Sequence, residues 1–132
     1  MRLFEGKGFS GVKGLYPFTA ENLLRVGLAL CTYIKIKREI ERPALIIKDE
    51  DFIAFSLAVG FMAGGGDVVY GEGEGDVRLK LSCEGEGVYR LEFDGLEEHE
   101  FLMVESILFS RYNMPRAEGE GVGRIWIQEK KP

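Results

Sequence analysis

The tightest constraint on this chain lies near its middle. Ala44-Leu45-Ile46-Ile47 is a continuous apolar run between Pro43 and the charged stretch Lys48-Asp49-Glu50-Asp51. A short run without polar alternation reads as a strand buried on both faces. Asp49 or Asp51 then suits the N-cap of a helix over residues 52–63, and Gly64-Gly65-Gly66 stops it. Asp67-Val68-Val69-Tyr70 reads as the next strand. Strand, helix and strand in this order form a right-handed crossover, so the two strands are expected to lie parallel in one sheet. Along the helix, Phe52, Phe55, Val59 and Met62 recur at helical spacing and are the expected inward stripe.

The flanking segments obey other periodicities. Residues 1–16 read as a short extended segment followed by a glycine-punctuated turn. Thr19 suits an N-cap, and Leu23, Val26, Leu30, Tyr33 and Ile34 give a buried stripe on a first helix running to about residue 40. After residue 76 the pattern changes to period two. Val77, Leu79 and Leu81 alternate with Arg78, Lys80 and Ser82, and Tyr89, Leu91 and Phe93 alternate with Arg90 and Glu92. That is a hairpin with one wet face. A third helix is expected over residues 96–112, with Phe101, Val104, Leu108 and Tyr112 inward. A last strand follows over residues 124–128. The sum is a single α/β domain over residues 1–132. Its expected form is three-layer α/β/α, with a mixed, mostly parallel sheet and a late antiparallel hairpin.

Composition narrows the partners. The chain has 132 residues and a formal net charge of −5, which disfavours a polyanion-binding surface and hence nucleic acid. No apolar run approaches the ~20 residues of a membrane span, and the first residues lack a signal-peptide stretch. A cytoplasmic setting is the expectation. Cys31 and Cys83 fit no metal-ligand spacing, and Cys31 falls among core positions. Glu72, Glu74, Asp76, Glu84, Glu86, Glu118 and Glu120 sit on glycine-rich loops that match no cation-loop pattern, so no metal site is assigned. His99, the single histidine, lies among glutamates on the third helix. Asn22, Asn113 and Gln128 are the only amides, against 17 Lys and Arg and 22 Asp and Glu, a bias shared by hyperthermophile proteins.

Several segments, taken in order, carry a resemblance. Gly8-Phe9-Ser10-Gly11-Val12-Lys13-Gly14 leads into Pro17-Phe18-Thr19-Ala20-Glu21 and then Val26-Gly27-Leu28-Ala29-Leu30-Cys31-Thr32-Tyr33. Phe61-Met62-Ala63-Gly64-Gly65-Gly66-Asp67-Val68-Val69 follows, and Gly121-Val122-Gly123-Arg124-Ile125 comes near the end. This series resembles the first domain of the α-D-phosphohexomutases, the phosphomannomutases and phosphoglucomutases. The resemblance implies an α/β domain that, in the family, supplies a phosphorylated serine and helps ligate Mg²⁺.

The same alignment shows what has changed. Ser82 takes the place of the family's nucleophile, but Cys83-Glu84-Gly85 follows it where the family has His-Asn-Pro. A hydroxyl needs an activating neighbour, and Glu84 and Glu86 would repel a phosphate. Arg90 stands where the family has a proton-transferring lysine, and a guanidinium is a poor base. Lys13 replaces the turn arginine and keeps its charge without its two-pronged geometry. The family's metal loop and sugar-binding segments belong to other domains.

Three readings remain. One is a stand-alone, non-catalytic interaction or regulatory module with no cofactor. Another is a subunit of a split mutase, in which case Mg²⁺ is the cofactor. The third is a phosphosugar-binding protein using Ser10, Lys13 and Arg90 without turnover, with Ser82 beside them. A first domain without its usual neighbour is expected to expose an old contact face. Self-association as a dimer, or docking onto a protein partner, is expected through Ile125 and Trp126 of the last strand and Leu102 and Met103 of the third helix.

Overall fold

The computed structural model describes residues 2–49, 51–110 and 114–128. Strand β1 (Gly8–Val12) is followed by helix α1 (Ala20–Lys37), β2 (Ala44–Ile47), α2 (Phe52–Ala63) and β3 (Asp67–Gly71). Then come β4 (Val77–Gly85), β5 (Val88–Asp94), α3 (Glu98–Leu108) and β6 (Ile125–Gln128). The six strands form one mixed sheet in the order β1-β5-β4-β2-β3-β6. The pairs β4/β2, β2/β3 and β3/β6 are parallel, while β1/β5 and the β4/β5 hairpin are antiparallel. The α/β class, the parallel crossover and the late hairpin are those the periodicities indicate.

Local chemistry sets the element ends. Thr19 caps α1 by accepting from the Asn22 amide, and Asp51 caps α2 by accepting from Ile53. Helix α1 stops at Lys37, short of residue 40, where Glu39 takes a left-handed φ of 53°. Helix α3 is shorter than expected at both ends; Tyr112 lies outside the described residues. The glycine-punctuated segment near the N-terminus is strand β1 and not merely a turn, because its register partners on β5 supply a complete antiparallel ladder.

One hydrophobic cluster serves all three helices. Register puts Phe9, Leu91, Phe93, Leu79, Val77, Leu45, Ile47 and Val68 on the same sheet face, and all belong to that cluster. α1 lies in the middle of the helical layer and packs on both α2 and α3. The layers are therefore unequal: the helical cover expected on both faces is present on one. On the opposite face, loop 71–76 lies over Ile46, which is buried. A Cβ on Gly75 would stand 2.9 Å from the Ile46 side chain. The loop is held by Asp76 accepting from the Ala44 amide (2.7 Å) and by Arg78 donating to the Gly73 carbonyl (3.1 Å).

The α1–α2 crossing corrects one expectation. A Cβ on Gly27 would meet the Leu57 carbonyl oxygen at 2.0 Å, and one on Gly60 would meet that of Leu24 at 1.9 Å. Backbones this close require the small-residue side of α2 to face inward. Ile53, Ala54, Leu57, Ala58, Gly60 and Phe61 are buried, while Phe52, Phe55 and Val59 are exposed and Met62 is half-buried. Of the stripe assigned inward by spacing, Phe52, Phe55 and Val59 face out, and Met62 packs against the core.

At the other flank α3 is held by charge. Glu100, buried, accepts from Arg38 Nη2 (2.8 Å) and Nε (3.1 Å), from Tyr33 Oη (2.8 Å) and from the Glu97 amide (2.9 Å). The Arg38 guanidinium, helped by the Glu97 amide and Tyr33, outweighs burial and holds the Glu100 carboxyl at about 2. Burial first, and then the Glu100 carboxylate, push the Tyr33 phenol up to about 12. Glu105 accepts from the amides of Leu3 and Phe4, which pins the N-terminal segment to α3. Among the described residues no helix is long and apolar enough to cross a membrane.

Two outcomes follow for stability. Gly60→Ala drives a methyl into the Leu24 carbonyl and should lower unfolding free energy by about 2–4 kcal/mol, read from urea midpoints. Glu100 titrates in the folded protein below its unfolded value of 4.5, so its contribution is complete above that pH and is lost as pH falls toward about 2. Glu100→Gln should cost about 3 kcal/mol at neutral pH and flatten the acid limb of a midpoint-against-pH curve.

Candidate functional site

The hairpin geometry decides what Ser82 can do. β4 and β5 pair from Arg78↔Asp94 up to Gly85↔Val88, with an irregularity between Cys83 and Gly85 and a tight connection through Glu86 and Gly87. Ser82 is an exposed ladder residue within β4, with Arg90 as its cross-strand partner. Arg90 in turn faces Ser10 on β1. Three of the four candidate residues thus form one row, Ser10–Arg90–Ser82, on the helix-free face of the sheet.

The row is bonded within itself. Arg90 donates from Nη1 to Ser10 Oγ (3.2 Å) and from Nη2 to the Glu5 carbonyl (2.7 Å), and its Nε lies 3.5 Å from Glu92. Ser10 Oγ donates to Glu84 Oε1 (2.8 Å). An incoming phosphate would meet Glu84 at one end of the row and Glu92 beside Arg90. Two carboxylates around one guanidinium make this a self-compensated patch rather than an anion cradle.

Lys13 stands apart from the row. Its Nζ pairs with Asp51 at 3.2 Å and lies 6.0 Å and 5.8 Å from the ring centres of Phe52 and Tyr89. It therefore reinforces the N-terminal end of α2, where Asp51 already supplies the cap. The candidate set Ser10, Lys13, Ser82 and Arg90 divides into a row of three and a lysine at α2.

Other sequence candidates have structural places. Cys31 is fully buried in α1, and burial pushes its thiol up to about 11, far from a reactive thiolate. Cys83 is exposed, with Sγ 2.9 Å from the Gly85 carbonyl. His99 is exposed beside Glu97. Glu72 pairs with Lys48 at 2.9 Å. Among the described residues, no three His, Cys, Asp or Glu side chains gather where they could hold a metal ion. Trp126 lies on the helix-free face of the edge strand β6 and is half exposed. It hydrogen-bonds Asp67, which also accepts from Arg42 (3.2 Å and 3.3 Å) and the Arg124 amide (2.9 Å). Burial opposes ionisation there, but these donors outweigh it and hold the Asp67 carboxyl below the usual range. The expected contact residues Leu102, Met103, Ile125 and Trp126 are all exposed.

The feature that spacing missed is the outer side of α2. Phe52, Phe55 and Val59 present an apolar surface that continues through the Phe55–Tyr70 stack (6.2 Å between ring centres) to Ile127, the register partner of Tyr70. Its signal was in the sequence: α2 carries no charged residue on any side. A helix apolar all round is covered on all sides in its working state.

Scanned against family models and against curated proteins, the sequence matches none. Site chemistry therefore rests on the residues themselves. Ser82→Ala should leave stability within about 0.5 kcal/mol of the parent, as befits an exposed ladder residue. Arg90→Ala, which strips the row of its shared donor, should cost about 1–2 kcal/mol. Paired urea titrations check both.

Proposed function

We propose that this chain is a stand-alone, phosphohexomutase domain-I-like module that acts through protein contact and not through phosphoryl transfer. The observation carrying this is the setting of Ser82. It sits in a ladder beside Arg90, with Glu84 committed to Ser10 and, among the described residues, no imidazole or amide loop around it. A nucleophilic serine needs a base to take its proton and an electrophilic surround for the phosphoryl group. Arg90, the one positive group of the row, is turned to Ser10, the Glu5 carbonyl and Glu92, and among the described residues no base is hydrogen-bonded to Ser82. Mg²⁺, the cofactor of the mutase alternative, fits poorly there as well, because Ser82's nearest cross-strand side chain is a guanidinium and a dication prefers a shell of oxygens. A cytoplasmic setting goes with this reading.

A phosphosugar-binding role without turnover is the second reading, favoured by the placement of Arg90 between two serines. A split-mutase subunit would require a partner chain to bring both the metal loop and the sugar site. The chain alone should show no interconversion of mannose 1-phosphate or glucose 1-phosphate above the buffer rate, with or without Mg²⁺, in a coupled assay. Turnover that disappears in Ser82→Ala would overturn the proposal. Saturable chemical-shift changes at Ser10, Ser82 and Arg90 on adding either sugar phosphate, absent in Arg90→Ala, would favour the second reading instead.

A further inference from the structure

The helical layer stops before the sheet does. α3, α1 and α2 cover the core-side face of the strands up to β3. The core-side residues of the edge strand, Ile125 and Ile127, are 44% and 68% exposed. The wall beside this uncovered strip is α2, whose Phe52, Phe55 and Val59 are 43%, 39% and 49% exposed. Those five residues leave roughly 400–500 Å² of apolar side chain open, taking 150–250 Å² for an aromatic ring and somewhat less for an aliphatic chain. That is the size of the largest apolar patch on a typical monomer, ~300–600 Å², and patches of this size often carry function.

We infer that a second copy of this chain covers the strip, with α2 packed antiparallel against its two-fold mate. This deepens the contact-module reading and rests on it. The first reason is spacing. Phe52, Phe55 and Val59 follow one another at intervals of three and four, the spacing of a seam by which two helices interlock, with Met62 half-buried at its end. The second is chemistry. A charged side chain seated against this stripe would be desolvated without a partner. Among the described residues, α2 is the one helix with no charged side chain, so its own mate is the complement this chain provides.

The third reason is the helix dipole: packed antiparallel, the two copies of α2 oppose theirs, while Asp51 stays paired with Lys13 of its own copy. The fourth is area. Two copies would cover about 800–1,000 Å² from these five residues alone, close to the ~1,000 Å² at which a specific interface begins and in keeping with a reversible dimer. In this arrangement Phe55 of one copy faces Val59 of its mate.

Sedimentation of the full chain tests this, with single substitutions at exposed positions and far-UV circular dichroism to show that each variant folds. The parent should be a dimer at about 100 µM, a concentration that populates any micromolar complex. Val59→Lys and Phe55→Glu should each be monomeric, because each puts a bare charge into the seam twice over. Mixed in equal amounts they should re-form dimer, since one lysine then meets one glutamate while the other Phe55–Val59 contact is native. A monomeric parent overturns the inference. So does a dimer that survives both substitutions, which would place the contact elsewhere, such as the open edge of β6. Monomeric variants that stay apart on mixing overturn the antiparallel pairing. None of these results bears on Ser82, so failure here is distinct from failure of the non-catalytic reading, which the turnover assay decides.

Discussion

Everything on the helical side of this protein depends on two glycines meeting two carbonyls. Gly27 and Gly60 let α1 and α2 cross with backbone in contact, each at a place where a single methyl would overlap a carbonyl oxygen of the other helix. Close approach multiplies dispersion contacts along the crossing. It also fixes the rotation of α2 about its own axis. Once Gly60, Ala54 and Ala58 are committed to the contact side, Phe52, Phe55 and Val59 on the opposite side of the helix can only point out. The exposed seam of α2 is a consequence of the crossing, not an independent feature.

The two flanks of the helical layer are secured by different physics. Along its length α2 is held by apolar packing, with polar contacts only at its ends, Lys13 to Asp51 and Lys35 to the Gly64 carbonyl, and its outer side stays apolar. α3 is held by Phe101, Val104 and Leu108, by the Phe4–Phe101 ring contact at 5.0 Å, and by the shared Glu100 carboxylate. A carboxylate that accepts four hydrogen bonds fixes direction as well as distance, because each donor arrives along its own line. Loss of any donor leaves a buried charge short of a partner. The α3 flank is therefore closed and specific, and the α2 flank is open and adhesive.

The sheet face away from the helices tells a complementary story. Ser10, Arg90 and Ser82 do come together there. The hydrogen-bonding capacity of Ser10 and Arg90 is taken up by each other, by Glu84 and Glu92 and by the Glu5 carbonyl. A row of this kind supports the strand register more readily than it binds an anion. The face with residues named for chemistry is electrically self-satisfied, and the face without them is the one left unfinished.

The sequence by itself determined the crossover from residue 44 to residue 70, the hairpin, the cap at Thr19, a cap for α2 at Asp49 or Asp51, and the burial of Cys31. Each depends on neighbours along the chain: a continuous apolar run, a period of two, a side-chain oxygen before a helix. It also brought Ser10, Ser82 and Arg90 forward as candidates, although their sharing of one row needed the strand order. Only the tertiary structure decided which side of α2 is inside. A helix with apolar residues on every side has no periodic signal to orient it, and the choice falls to the backbone contact at Gly27 and Gly60. Tertiary structure alone also placed all the helices on one face and moved Lys13 away from the serine row. Those outcomes depend on which strands become neighbours and on the parity of their pairing, and no local pattern along the chain encodes either.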